Sequence, residues 1–205
     1  MPKRVDHAVR RAEITDALLR VAARRGLHAV GMRDVAAEAG VSLRLVQYYF
    51  ETKEKLLLHG LERLTARFGE RVAERVRGAG DPPGPRAAVR ALLMTALPTD
   101  EESRVFHLVY TSYALLSVTE PALAAQPFTK DPDAAEAALA ALLARAERDG
   151  LLRAEVDVRR EAVGLLALSA GLGTAVLVGQ RDPETAVTVL DHHLDRIFRD
   201  GPDTG

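Results

Sequence analysis

The stretch RDVAAEAGVSLRLVQYYF, residues 33–50, decides the fold of the first part of this chain. It predicts a short helix over Arg33–Ala39 and a second over Leu43–Tyr49, with Gly40 at the turn between them. Ala36 is small enough to lie where the two helices cross. Because a small residue at the crossing and a glycine at the turn are what two short packed helices need, the stretch predicts a helix-turn-helix.

The second helix has an outer face that is free to enter a major groove. We expect this face to carry Leu43, Arg44, Gln47, Tyr48 and Tyr49. Arginine pairs with guanine edges and glutamine with adenine edges, while tyrosine hydroxyls can donate to phosphates. The alternative is that Arg44 and Gln47 are ordinary solvated residues, and that at least one tyrosine packs partly inward.

Charge is distributed unevenly along the chain, although the net charge is only −1. Residues 1–80 hold 16 Lys and Arg against 10 Asp and Glu, whereas residues 81–205 hold 12 against 19. A basic first part joined to an acidic remainder favours a polyanionic partner for the first part. The apolar fraction of 47% is that of a globular chain with a sizeable core.

Helical periodicity is frequent along the chain and strand patterns are weak, so we expect an all-α protein. A helix over Asp6–Arg25 precedes the helix-turn-helix, and Thr52 can cap a long helix over residues 53–77. The glycines and prolines of residues 78–85 end that helix. Five further helices follow, with a Thr99–Glu102 capping box and proline-preceding caps at Asp131 and Asp182. They are predicted at about 86–97, 101–118, 132–149, 158–179 and 183–199.

Taken with its flanks, the helix-turn-helix resembles the TetR/AcrR family of bacterial transcriptional regulators. The resemblance covers about residues 10–69, with the motif at about 33–52. The matching segments are Ile14–Gly26, Asp34–Ala36, Ala39–Ser42, Tyr49–Phe50 and Lys53–Leu57. The family implies a DNA-binding domain over residues 1–55 and a helical ligand-binding and dimerisation domain over residues 56–205. The second part resembles the subgroup that contains the betaine-operon repressor, and no ligand is carried over from it.

The resemblance also implies which residues contact a double-stranded DNA operator. Arg33 matches a base-contacting position of some members, and Lys53 matches a phosphate contact at the start of the fourth helix. The recognition-helix face corresponds here to Ser42, Leu43, Arg44, Leu45, Gln47, Tyr48 and Tyr49.

The chain departs from the family pattern in this region. The usual Gly-Thr-Leu-Tyr run is replaced by Arg44-Leu45-Val46-Gln47, which removes two hydroxyls and their phosphate contacts. Leu45 is instead suited to touch a thymine methyl group, and Arg44 to read a base. Gly31 and Met32 stand where a threonine usually caps the second helix.

The remaining helices contain a candidate effector site and a candidate dimer interface. Aromatic residues at helical spacing either fill a core or line a pocket for a small-molecule effector: Phe68, Phe106, Tyr110 and Tyr113, with Phe128 nearby in sequence. A ridge of small residues recurs every four positions, at Ala167, Gly171, Ala175 and Gly179. Such a ridge allows another helix to approach closely. Family members dimerise through their last two helices, which implies a homodimer interface that also uses Leu190 and Leu194.

Several other classes of protein are disfavoured. The chain has no cysteine, which excludes disulfides and zinc–thiolate sites. The Asp191–Asp195 segment, with two histidines, is interpreted as a solvated or interface face, so neither a metal nor a cofactor is expected. The uncharged Ala162–Gly179 segment is at the lower limit for a membrane span, and we interpret it as a buried or interface helix of a cytoplasmic protein.

The sequence therefore predicts a ligand-responsive DNA-binding regulator, most simply a repressor, and not an enzyme. An activator or dual regulator of the same family is the first alternative. A helical-bundle enzyme would need clustered inward carboxylates or histidines, and a protein-interaction bundle would not need the basic recognition helix.

Overall fold

The computed structural model describes residues 3–80, 83–124 and 133–199, and the all-α prediction is confirmed there. A single 3₁₀ turn, Leu27–Ala29, separates the first two helices. The helices are α1 (Lys3–Arg25), α2 (Met32–Ala39), α3 (Leu43–Phe50), α4 (Lys53–Gly78), α5 (Pro85–Ala96), α6 (Glu101–Ser117), α7 (Pro121–Ala124), α8 (Asp133–Arg148), α9 (Val158–Leu177) and α10 (Pro183–Ile197).

Side-chain caps begin α3, α4 and α10 where the sequence predicts them. The hydroxyl of Ser42 accepts a hydrogen bond from the Leu45 amide, and that of Thr52 accepts one from the Lys55 amide, each at 3.2 Å. The Asp182 carboxylate accepts from the Thr185 amide at 2.7 Å. These contacts satisfy amides that the first helical turn leaves without partners. The Asp131 cap lies outside the described residues.

Two of the predicted helix ends need correction because they change the role assigned to a residue. The capping box of α6 is formed by Asp100 and Ser103, whose side chains each accept the other's backbone N–H, and not by Thr99 and Glu102. Helix α9 ends at Leu177, two residues earlier than predicted, and Gly179 lies beyond it with φ +74°. Gly179 is therefore required by the turn that ends α9, and it is not part of a helical ridge.

The chain divides into two compact units. The first unit comprises residues 1–68 and 108–130, and within its described residues α1 to α3 pack around fully buried Ile14, Leu18, Val35 and Val46. The Tyr113 hydroxyl of α6 donates to the carbonyl of Leu57 at 2.5 Å in the same unit. The boundary at residue 55, which the family resemblance implies, separates a DNA-binding role from a ligand-binding role and not two compact units, and it stays a prediction.

The second unit comprises residues 69–107 and 131–205. Its core is built by α5, α8, α9 and α10, and includes Val89, Leu143, Leu165, Leu190 and Leu194. All five of these side chains are fully buried. Ion pairs tie α5 to α10 outside this core, with Arg90 making two contacts to Asp191 at 2.6 and 2.9 Å, and Arg86 pairing with Asp195.

Candidate nucleic-acid interface and regulatory helices

The helix-turn-helix is held by backbone contacts at its turn. Gly40 adopts a left-handed conformation with φ 66°, and its N–H donates to the carbonyl of Ala37. The Val41 amide donates to the carbonyl of Ala36 at 3.0 Å. As the sequence indicates, residue 31 supplies no side-chain cap for α2, and Asp34 compensates in part by accepting from the Gly31 amide at 3.1 Å.

Helix α3 buries one face and presents the other to solvent. Val46 and Phe50 are buried in the first unit, whereas Arg44 and Gln47 are exposed. Tyr48 is 68% exposed, which is unusual for so large a ring. The structure therefore presents on one surface the arginine, glutamine and tyrosine that the sequence assigns to base and phosphate contacts.

The other predicted DNA contacts lie around this surface. Arg33 is exposed in the first turn of α2, and Lys53 is half-buried in the first turn of α4. Ser42 is exposed, and its hydroxyl oxygen is engaged in capping α3. The remaining recognition-helix residues, Leu43, Leu45 and Tyr49, are half-buried. Of the two tyrosines, Tyr49 is the one that packs partly inward.

Two residues of α1 contact α3 and escape local sequence analysis. The Arg11 guanidinium donates to the Tyr49 carbonyl at 3.1 Å and lies 5.7 Å from the ring centre of Phe50. The Tyr49 hydroxyl lies 3.1 Å from Nδ1 of His7. Arg11 and His7 precede Tyr49 by 38 and 42 positions, and no pattern of local spacing predicts a contact at such separations. Only the folded chain shows these contacts.

Several carboxylates of the first unit are neutralised by arginines. Glu38 accepts from Arg20 and pairs with Arg24, and these hydrogen bonds lower the pKa of its carboxyl. Asp16 accepts from Arg63 at 2.9 and 3.2 Å and from Arg67 at 2.8 Å. These ion pairs join different helices, so the carboxylates stabilise the packing of the first unit. Arg44 lies on the outer face of α3 and is exposed.

The candidate effector residues differ in their surroundings. Tyr113 is fully buried in the core of the first unit, and burial raises the pKa of its hydroxyl. Phe68, Phe106 and Tyr110 are half-buried, and burial also raises the pKa of Tyr110. Phe128 lies outside the described residues. A pocket at the half-buried rings stays a prediction, whereas Tyr113 has a packing role that accounts for its position.

A buried histidine contacts α9 in the second unit. His107 is 7% exposed, and its Nδ1 and Nε2 atoms lie 3.3 Å from the Ala96 carbonyl and the Thr174 hydroxyl. Burial lowers the pKa of His107, although the Ala96 contact opposes this shift. A Cβ at Gly173 would lie 2.6 Å from Nδ1, so only glycine admits the ring. Sequence reasoning assigned no role to this glycine.

The small residues of α9 that the sequence assigns to the ridge lie on the surface of the chain. Ala167 and Gly171 are exposed, Ala175 is half-buried, and Val163 on the same helix is 50% exposed. A Cβ added at Gly164 or Gly171 would meet no atom within 4 Å. Helix α9 is long and apolar enough to cross a membrane by length and composition, but only 22% of its most apolar window is buried in the protomer. Its apolar outer face is thus left uncovered within the chain.

The structure corrects the assignment of the α10 leucines. Leu190 and Leu194 are fully buried in the core of the second unit, so their side chains have no surface left to bury against a partner. Val189, which is 39% exposed, and exposed His192 lie on the outer face instead. An amphipathic stripe shows that a face is buried, but not whether its own chain or another copy covers it.

The histidines of α10 are accounted for by protein partners or solvent. Nε2 of His193 lies 2.6 Å from the Glu161 carboxylate, and Asp191 is occupied by Arg90. Within residues 3–80, 83–124 and 133–199, no group of three or more histidines and carboxylates could hold a metal ion.

Comparison with known proteins agrees with this architecture. Residues 14–59 match the model of bacterial regulatory proteins of the tetR family, and residues 85–199 match that of the C-terminal domain of BetI-type transcriptional repressors. The chain is 30% identical over 203 residues to the HTH-type transcriptional regulator PksA of Bacillus subtilis, a match covering 96% of this chain and 94% of PksA. It is 35% identical over 101 residues to BetI of Rhizobium meliloti, covering 49% of this chain and 48% of BetI.

Solved structures agree as well. A transcriptional regulator from Rhodococcus sp. Rha1 superposes with a TM-score of 0.79 at 28% identity, covering 94% of this chain and 99% of the other. A putative regulator from Saccharomonospora viridis, solved in complex with choline, superposes with a TM-score of 0.81 at 25% identity, covering 93% and 98%. Regulators of this kind bind DNA operators and small-molecule effectors and act as dimers. The chain therefore belongs to the TetR family of bacterial transcriptional regulators, with a C-terminal domain of the BetI type.

Proposed function

We propose that the protein is a repressor that binds a palindromic operator as a homodimer in the cytoplasm and releases it when a small molecule binds. The observation that carries this proposal is the outer face of α3, where Arg44, Gln47 and Tyr48 are exposed on a helix whose opposite face is buried. A domain over residues 1–55 would read DNA, and residues 56–205 would bind the effector and the partner.

The DNA contacts divide into two kinds. Arg44 and Gln47 read base edges, with Arg33 and Leu45 contributing further contacts in the groove. Phosphates are contacted by the ammonium group of Lys53 in the first turn of α4, where the helix dipole also favours an anion. The other residues assigned to DNA are Ser42, Leu43, Tyr48 and Tyr49. Two such surfaces related by a twofold axis require half-sites about one helical turn apart or somewhat more.

The homodimer uses the uncovered outer face of α9. Ala167 and Gly171 form a smooth surface beside exposed Val163, and Val189 supplies an apolar side chain from α10. Burial of such a face against a second copy removes apolar area from water, and small residues permit close packing. Because the Gly171 Cβ position is open within the protomer, its own chain does not explain this glycine.

The effector is an apolar or amphipathic molecule that contacts half-buried aromatic rings. Phe68 and Tyr110 of the first unit and Phe106 of the second are separate candidates for this contact. The choline bound by the Saccharomonospora viridis regulator favours a quaternary ammonium compound, since aromatic faces attract such cations. Any effector regulates only through different affinities for the DNA-bound and free arrangements.

An electrophoretic mobility shift with the DNA upstream of the protein's own gene tests the proposal. We expect a discrete complex that survives excess random DNA, footprints on a palindrome and dissociates when the effector is added. A transcription assay with the same DNA separates a repressor from an activator. Equal affinity for upstream and random DNA under all conditions would refute operator recognition, and a helical enzyme or interaction module would then have to be considered.

A further inference from the structure

The C-terminal half of α3 borders a cleft. A cavity of about 780 Å³ lies in the first unit between α1, the end of α3 and the start of α4. Its lining includes His7 and Arg11 of α1 together with Tyr48 and Tyr49 of α3. Because the two tyrosines face open space there, close packing alone does not determine where they point.

Polar contacts from α1 take the place of packing at this cleft. The Arg11 guanidinium donates to the Tyr49 carbonyl in the last turn of α3 and lies over the Phe50 ring. A cation at a helix C-terminus is favoured by the carbonyls that the last turn leaves without partners. The chain turns sharply just after this point, since Glu51 has a φ of 59°.

A second contact orients the tyrosine rings themselves. The Tyr49 hydroxyl lies 3.1 Å from Nδ1 of His7, and the Tyr48 ring packs edge-to-face on the Tyr49 ring with 5.3 Å between centres. The His7 ring lies 5.7 Å from that of Tyr49 and 6.5 Å from that of Tyr48. These rings connect α1 to Tyr48, the most exposed aromatic residue of α3.

We propose that Arg11 and His7 are positioning residues for DNA recognition, which hold the last turn of α3 and set the direction in which Tyr48 and Tyr49 meet the operator. This role rests on the proposed function, because it assigns specificity to residues that act through α3. It differs from direct phosphate contact, which would weaken binding to all sequences alike.

The test compares Arg11→Ala with Arg10→Ala. Both variants lose one arginine from α1, but Arg10 pairs with Glu13 on the same helix. We expect Arg11→Ala to weaken binding to the selected operator by about tenfold, the order expected for one hydrogen bond to a charged group, and Arg10→Ala by much less. The base preference at the positions under α3 should broaden only for Arg11→Ala.

Two further measurements separate positioning from loss of folding. A double-mutant cycle of His7→Ala with Tyr49→Phe should show that the losses in operator affinity are not additive. Each variant removes the same contact, the one between the imidazole and the Tyr49 hydroxyl, so the second substitution has little left to remove. In the DNA-free protein, the NMR signals of the Tyr48 and Tyr49 rings should shift in Arg11→Ala and stay unchanged in Arg10→Ala. The two variants should have similar melting temperatures, which shows that both are folded.

The outcomes are distinguishable. If the wild-type protein shows no sequence preference, the proposed function fails and the recognition role fails with it, while the NMR comparison still decides whether Arg11 orders the rings. If the wild-type protein binds specifically and Arg11→Ala loses affinity equally on operator and random DNA, positioning is overturned in favour of direct charge contact. Additive losses for His7→Ala and Tyr49→Phe would overturn the role of the imidazole.

Discussion

Replacing Gly173 by alanine tests the contact between α9 and the buried histidine. A Cβ at this position would lie 2.6 Å from Nδ1 and 2.9 Å from Nε2 of His107, well inside ordinary van der Waals contact. The ring is 7% exposed, and both of its nitrogens have polar partners, so it has no free space to retreat into without losing them. The substitution should therefore displace either the imidazole or α9.

The expected magnitude follows from opposing effects. Alanine in a helix interior is favoured over glycine by about 0.5–1 kcal/mol. Overpacking a core costs about 1–3 kcal/mol, and each lost hydrogen bond of a buried group about 0.5–1.5 kcal/mol. We expect a net loss of about 2 kcal/mol in the free energy of unfolding. For a chain of this size, that corresponds to a fall of roughly 4–8 °C in the melting temperature.

Gly69→Ala is the control, since this exposed glycine lies in the interior of α4 and its Cβ position is open. Urea unfolding at fixed protein concentration should show Gly173→Ala destabilised and Gly69→Ala unchanged or slightly stabilised. Adding His107→Ala to Gly173→Ala should recover part of the loss, because the smaller side chain vacates the contested space. Equal stabilities for the two single glycine variants would refute the packing argument.

Four other predictions concern pH, capping, DNA and assembly. Since burial lowers the pKa of His107, the native state binds fewer protons than the unfolded chain, and the free energy of unfolding should fall as the pH drops below about 6.5. In urea titrations, His107→Gln should make the free energy of unfolding less dependent on pH in this range, and an unchanged pH dependence would contradict the assignment. Burial alone would raise the pKa of Asp100, but hydrogen bonds from Ser103 and Arg71 lower it to about 2. The contribution of this carboxylate to the free energy of unfolding should therefore be lost as the pH falls from about 4 to 2. Asp100→Ala should cost about 1 kcal/mol at pH 7 because it removes a helix cap, whereas the control Glu101→Ala should have little effect. Arg44→Ala should cost about 1–3 kcal/mol of operator binding and relax the base preference at one base pair. Lys53→Ala should weaken binding to all sequences alike and reduce the salt dependence by about one counterion. Equal losses of affinity on operator and random DNA for Arg44→Ala would exclude base reading. Gly171→Leu should make the protein monomeric in sedimentation at micromolar concentration while the helical circular dichroism is kept, and a dimer that persists would show that this face of α9 is not the interface.

Local sequence was sufficient for features that depend on neighbouring residues. The caps at Ser42, Thr52 and Asp182 were predictable because a side-chain oxygen reaches an amide two or three positions ahead wherever the chain turns into a helix. The turn at Gly40 was predictable for a similar reason, since glycine adopts positive φ without strain. Where two such signals compete, as at Thr99 and Asp100, the pattern alone misplaced the cap by one residue.

Tertiary structure decided everything that depends on which surfaces meet. Leu190 and Leu194 lie on an apolar stripe that suits a core or an interface equally, and the packing of α10 against the second-unit core places them inside the protomer. The contacts of Arg11 and His7 with α3, and that of His107 with Gly173, join residues that are 38 to 66 positions apart. Hydrophobic periodicity reports how much of a helix is buried but not against what, because the hydrophobic effect is proportional to area and has no direction. Partners are selected by shape, and shape exists only once the helices have packed.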